Sequence, residues 1–334
     1  MAPEHGPGGD RGGPAPGRIR LADLEIRGPR KARCQDRATA EELPGGPDGG
    51  PAGVLLAVAD GHGSAVHSRS HLGAEFAVEV FLRLARRFAA TALAEEAALP
   101  ALRAEAQQRL PWNLVREWED RCARHLRAEP LDGFPELSPG RLPDRGQLAA
   151  YGTTLLGAAL LPGLLVAWQL GDGEVALVDR PGERVLLPLA PVAPELGDET
   201  DSLCSKDAAR LIRTHWAPIV GAAEPPGLLL LSTDGLSKSF AEASGFDRFA
   251  AGLYQRLRDD GHEAVVGQLG GWLERAASFS GDDTSVAFAW HDLRRPSAPE
   301  PPAVPDAPDA PDAPDAPPDS VYRQDPTATP EEPS

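Results

Sequence analysis

Apolar positions along this chain follow two rhythms. Residues 54–59, 164–170 and 228–232 are short apolar runs bounded by Gly and Pro, and 154–161 and 285–290 share their character. Runs this short and this apolar predict strands buried on both faces. Elsewhere the period is helical: from residue 70 onward Phe76, Val80, Phe81, Leu84 and Phe88 line one face, and residues 114–126 repeat the pattern with Trp118 and Cys122. Further amphipathic helices are predicted over 207–216, 246–258 and 262–277, with a Pro-rich loop over 129–147. Strands interleaved with helix pairs imply a layered α/β sandwich.

Three of the apolar strands end alike, at Asp60-Gly61, Asp172-Gly173 and Asp234-Gly235, and the pair Asp282-Asp283 opens another. Between antiparallel neighbours the end of one strand and the start of the next share an edge, so these carboxylates are expected on one rim. Each Asp-Gly alone reads as an ordinary turn, since Asp bonds nearby backbone and Gly accepts positive φ. Together they pose an electrostatic problem: carboxylates gathered in a small space resist ionisation unless a cation sits among them. No Cys/His set has the spacing of a zinc site, so oxygen ligation points to Mg²⁺ or Mn²⁺. Two such ions about 3.5–4 Å apart would orient and deprotonate a bridging water and neutralise a phosphoryl group under attack.

Composition narrows the classes. In 334 residues, 41% hydrophobic, no apolar stretch is long enough to cross a bilayer, so no membrane partner is expected. The first residues lack the apolar core of a secretory signal and the three cysteines are widely spaced, which reads as a cytoplasmic chain. Of the net charge of −17, residues 296–334 contribute nine acids against the single base Arg323. No cluster of Lys and Arg suggests a nucleic-acid partner. The Gly/Pro-rich residues 1–17 and the Pro-Asp-Ala repeats of 296–334 are expected to be disordered, the latter as a solubilising linker, leaving a folded part over 18–295. The six tryptophans read as packing residues.

In order along the chain, Arg33-Cys34-Gln35-Asp36, Asp60-Gly61-His62-Gly63, Gly152-Thr153-Thr154, Gly171-Asp172-Gly173, Thr233-Asp234-Gly235 and Gly281-Asp282-Asp283-Thr284 resemble the motifs of the protein phosphatase 2C family, the metal-dependent serine/threonine phosphatases. The resemblance implies an α+β fold: a four-layer αββα sandwich of two central antiparallel β-sheets flanked by helices. It also implies a binuclear Mn²⁺/Mg²⁺ centre at one end. Asp60 would bridge both ions, Asp234 and Asp282 would complete the first, and the Gly61 carbonyl would help hold the second. Asp36 would lie in the same acidic shell, directly or through waters, and Asp172 would serve a weaker third ion. His62 takes the place of the family's general acid for the departing serine or threonine oxygen, a task suited by a neutral-range pKa. From its residues alone it reads as an exposed turn histidine. Phosphate binding would fall to Lys31 or Arg33, between which spacing does not decide.

The chain also departs from the family pattern. Gln35 stands where some members carry Glu, implying contact with metal-bound water and a looser second ion. Lys238 replaces an acid, which weakens a third-ion site. Residues 198–205 resemble a bacterial branch often encoded beside von Willebrand A-domain proteins and kinases, implying a serine/threonine kinase and such a protein as partners alongside phosphorylated protein substrates. Cys34, two residues from Asp36, reads either as an oxidation sensor or as a small buried residue. The expected reaction is hydrolysis of phosphoserine and phosphothreonine by metal-activated water with no phosphoenzyme. Its rivals are a phosphoprotein-binding regulator of the same fold and a two-metal nuclease, which would need a basic groove.

Overall fold

A computed structural model describes residues 18–46, 50–94, 98–190, 200–221, 223–242 and 244–292. The tails expected over 1–17 and 296–334, and residues 198–199 of the departing segment, lie outside the described residues.

The chain opens with strands β1 (Arg18–Ile26), β2 (Arg37–Leu43) and β3 (Gly53–Ala59), followed by helix α1 (Ser70–Ala92). Next, α2 (Leu99–Ala104) runs through a five-residue π turn, Glu105–Arg109, into α3 (Leu110–Ala128). Pro111 lies in the first turn of α3. A ring there has no N–H to give and crowds the carbonyl four residues back, so the widened π turn before it fits its chemistry. The single-turn α4 (Arg145–Ala149) is closed by a capping box between Asp144 and Gln147. It leads to β4 (Leu155–Leu161), β5 (Leu164–Leu170), β6 (Glu174–Val178) and β7 (Val185–Leu186). After these come α5 (Ala208–Leu211), β8 (Arg213–Pro218), β9 (Leu228–Ser232), α6 (Asp234–Ser237), α7 (Gly245–Asp259), α8 (His262–Ser280) and β10 (Thr284–Asp292).

Among the described residues the strands form two five-stranded antiparallel sheets, ordered β1-β10-β9-β6-β7 and β2-β3-β4-β5-β8. Their facing sides share one core: Val54, Leu56 and Val58 of β3 and Leu156 and Ala158 of β4 meet Leu229 and Leu231 of β9 and Ala287 and Ala289 of β10. The alternate residues point outward into separate helix-covered cores. Leu55, Ala57 and Ala59 cluster with Phe81 of α1 and Trp118 of α3. Leu228, Leu230, Val286 and Phe288 cluster with Leu253 of α7 and Leu269 of α8. The result is a four-layer αββα sandwich. Because β3, β4, β5 and β9 are covered on both sides, every residue in them is buried and, Gln169 and Ser232 apart, their sequences run apolar without alternation.

Two elements differ from expectation, the first being α4, which begins at Arg145 inside the loop predicted over 129–147 because the Asp144–Gln147 capping box starts a helix there. The helix predicted over 207–216 stops after α5, and Arg213–Pro218 is β8, paired with β5 from Gln169↔Arg213 to Leu164↔Pro218. Leu211, Ile212 and Trp216 mimic a helical face, yet Ala217 joins the inter-sheet core while Trp216 packs on the opposite, helix-covered one. Alternation across the sheet, together with the need to pair the polar edge of β5, outweighs the helical spacing.

Candidate metal centre at one end of the sandwich

Strands β3 and β5 flank β4 and run the same way, so their carboxyl ends share an edge, while the end of β9 lies beside the start of β10, with Ser232 opposite Val286. Asp60, Asp172, Asp234 and Asp282 therefore sit just past these ends. Local backbone contacts fix them there. The Asp60 carbonyl accepts from Thr154 N and from Thr153 Oγ1, both at 2.9 Å, and the Asp60 N–H donates to Thr154 Oγ1 at 3.0 Å. A Cβ on Gly61 would stand 2.6 Å from the Gln35 carbonyl oxygen, and one on Gly235 would stand 1.9 Å from that of Asp283. Only glycine lets these segments close on each other.

The two sheets are stitched together through the same residues. Thr233 Oγ1 donates to Asp36 Oδ2 at 2.9 Å and accepts from Ser285 N at 2.9 Å. Asp283, 1% exposed, accepts from Gly28 N and Gln35 N, both at 2.7 Å, and lies 3.3 Å from Lys31 Nζ. It is a strap across the 28–35 segment, while Asp282 beside it faces the rim, ion-paired to Lys31.

The electrostatics of the rim are those of crowded acids. Burial, then the neighbouring Asp283, pushes the Asp36 carboxyl up to about 7. Burial together with Asp36, Asp234 and Asp282 drives Asp60 well above the usual carboxylate range. Asp234 is raised to about 6 by burial and by Asp172, against the pull of Lys238. Glu174, at the start of β6, is a further member that sequence reasoning missed; burial first, and then nearby Asp234 and Asp172, lifts it to about 8, while Ser232 Oγ donates to it at 3.3 Å. Its signal was present one residue after Gly171-Asp172-Gly173.

Asp172 is exposed and accepts from Thr200 Oγ1 at 3.0 Å. Lys31 and Arg33 are separated by the fold. The Lys31 ammonium lies among Asp282, Asp283 and Asp60, which hold it above its usual range although burial opposes the charge. Arg33 is exposed and meets His71 Nε2 at 2.8 Å. Gln35 spends its amide N–H groups on the His62 carbonyl at 3.1 Å and Ser70 Oγ at 2.8 Å, tying the loop to α1. His62 lies with its ring 4.8 Å from that of His67. Burial and then His67 lower it to about 4, so it is neutral at pH 7 rather than poised in the neutral range. Burial and then Asp36 push the half-buried Cys34 thiol up to about 12, which disfavours its thiolate.

As placed, no three His, Cys, Asp or Glu side chains among the described residues close into a metal-holding group. Lys31 is paired with Asp282, and Lys238 with Asp234. The donor chemistry nevertheless fits a hard divalent cation: Asp36 Oδ1 and Asp234 Oδ1 are buried without a hydrogen-bond partner, and the surrounding acids are destabilised as anions. Charge entering the rim would relieve both conditions.

Comparison with known proteins agrees with this reading of the fold. A bacterial serine phosphatase superposes with a TM-score of 0.51 at 15% identity, covering 83% of this chain and 99% of that one. A single-site variant of a bacterial serine phosphatase gives 0.51 and 15% over 81% and 98%. The catalytic domain of the phosphatase PstP in complex with two manganese ions scores 0.46 at 17% identity over 81% and 97%, too distant a match to bear on this chain's ions. No curated protein matches in sequence. The family model described as protein phosphatase 2C matches residues 29–274. The chain thus belongs to the protein phosphatase 2C family of serine/threonine protein phosphatases.

Proposed function

We propose that the chain hydrolyses phosphoserine and phosphothreonine in proteins at a pair of divalent cations, Mn²⁺ or Mg²⁺, held by Asp36, Asp60, Asp234, Asp282 and the Gly61 carbonyl. The observation that carries this reading is the gathering of acids from four distant segments, Asp36 and Asp234 buried and Asp60 and Asp282 half-buried, with an orphaned carboxylate oxygen on each of the first two. Bound there, divalent ions supply Lewis-acid charge for a phosphoryl group and lower the pKa of a water to near neutrality. Asp172, in contact with Thr200 and beside Asp234, would serve a weaker third ion only in competition with Lys238.

The protein's own groups have separate tasks. Lys31, on the rim rather than outside it, is the cation that meets the phosphoryl oxygens, and Arg33 is not. His62 is neutral before substrate arrives; a dianionic phosphoryl group beside it favours the imidazolium, which then gives its proton to the departing oxygen. No side chain needs to form a phosphoenzyme. A serine/threonine kinase sharing the substrates and a von Willebrand A-domain protein are the companions implied by the resemblance of residues 198–205.

The test is release of phosphate from a phosphoserine peptide by the purified chain with Mn²⁺. Asp60→Asn and Asp234→Asn should each lower the rate by at least about 10²-fold. Full activity in both variants would refute the mechanism. A second reading, phosphopeptide binding without turnover, is favoured by the Lys238 ion pair on Asp234. Saturable peptide binding with no product at any metal concentration would establish it instead.

A further inference from the structure

Beside the Asp234 end of the acidic rim, α6 and the turn after it, α7 and α8 enclose a groove of about 440 Å³. Its walls carry Phe240, Phe249, Trp272 and Phe279, with Arg256 and Arg275 among them. Phe240 and Phe249 pack with ring centroids 6.1 Å apart, and the Arg256 guanidinium lies 5.2 Å from the Trp272 ring centroid. Phe279 is 81% exposed, more than any other large apolar side chain among the described residues. Aromatic surface gathered in a concave site marks a contact surface rather than scattered exposure.

Charge says what kind of contact. In a chain with 50 acidic and 33 basic residues, the only charged side chains lining this groove among the described residues are two arginines. Neither Arg256 nor Arg275 is ion-paired to a carboxylate among the described residues. A neutral apolar ligand would strip water from both guanidinium groups with nothing in return. A symmetric pairing of the same groove on two copies would bring arginines toward arginines.

We propose that this groove docks a short acidic segment of a partner protein, one bulky apolar side chain seated among the rings and flanking carboxylates on Arg256 and Arg275. Leu236 lines the groove two residues after Asp234, so the docked segment lies within a turn of the rim. It would hold a phosphorylated partner near the site at higher effective concentration. The inference goes beyond the phosphatase reading, since docking requires no turnover.

The test uses the full chain in a metal chelator and a fluorescein-labelled peptide of about twelve residues, Asp and Glu around a single Trp, read by fluorescence anisotropy in about 0.05 M salt. Comparison peptides replace the Trp by Ala, or every acid by Lys. Both should bind at least about tenfold more weakly, as should the Arg256→Ser/Arg275→Ser double variant and Phe279→Ser with the parent peptide. All these positions are exposed, and the variants should keep the parent circular dichroism and turnover of a small phosphate ester. Absence of binding by the acidic peptide, equal binding of the Lys peptide, or unchanged binding in both variants would overturn the proposal. So would a dimer in sedimentation that Phe279→Ser dissociates.

Discussion

Asp36 and Asp234 have each lost most of their water, and each keeps one carboxylate oxygen without a hydrogen-bond partner. A buried acid in that position takes up a proton or recruits a cation, and its neighbours decide which. Gly235 shows how narrow the geometric tolerance is: a Cβ there falls 1.9 Å from the Asp283 carbonyl oxygen, a backbone atom that cannot swing aside. Gly235→Ala should cost about 3 kcal/mol or more of unfolding free energy in urea titration, with loss of activity in parallel. Gly252→Ala, where an added Cβ meets nothing within 4 Å inside α7, should be neutral or slightly stabilising.

At the scale of elements, the 28–35 segment is strapped down by Asp283 in addition to the bonds that Gln35 and Lys31 make. Asp283 collects two backbone N–H groups from it and faces Lys31, all across the mouth of the rim. Asp283→Ala leaves those donors buried and unanswered and should destabilise the chain by about 3 kcal/mol. Because Lys31 and Gln35 ride on that segment, phosphopeptide KM should rise as well, whereas a purely global effect would appear only as a lower folded fraction. The strand β8 makes the same point about sheets: a partner for the β5 edge matters more than the helical spacing of three apolar side chains.

For the whole molecule, crowding of acids at one end turns pH and divalent ions into opposing influences on stability. Asp36 at about 7 and Glu174 at about 8 bind protons more tightly folded than unfolded, where carboxyls titrate near their ordinary values. The folded state therefore holds more protons between about pH 4 and pH 8, and stability falls as pH rises through that window. In chelator, Tm should be several degrees lower at pH 8 than at pH 5.5. Added Mn²⁺ should raise Tm most at pH 8 and flatten the dependence, because a cation bound only by the folded state stabilises it by mass action. A Tm independent of pH in chelator would contradict the crowded rim.

Much of this protein could be read from its residues in order. The five mainly apolar strands and the helices at 70–92, 110–128, 245–259 and 262–280 announce themselves because burial on both faces, or on one stripe, leaves a local pattern. Asp60, Asp172, Asp234 and Asp282 were legible because each sits at a strand end beside glycine. What the order of residues could not decide was whatever depends on partners far along the chain. Arg18–Ile26 and Arg37–Leu43 carry charges within strands that only pairing with β10 and β3 justifies. Glu174 belongs to the rim, Lys31 rather than Arg33 reaches it, and Asp283 turns inward as a strap, all because the two sheets bring remote backbone within hydrogen-bonding distance. Local sequence sets which groups a residue can offer; only three-dimensional packing sets which water each one loses and what replaces it.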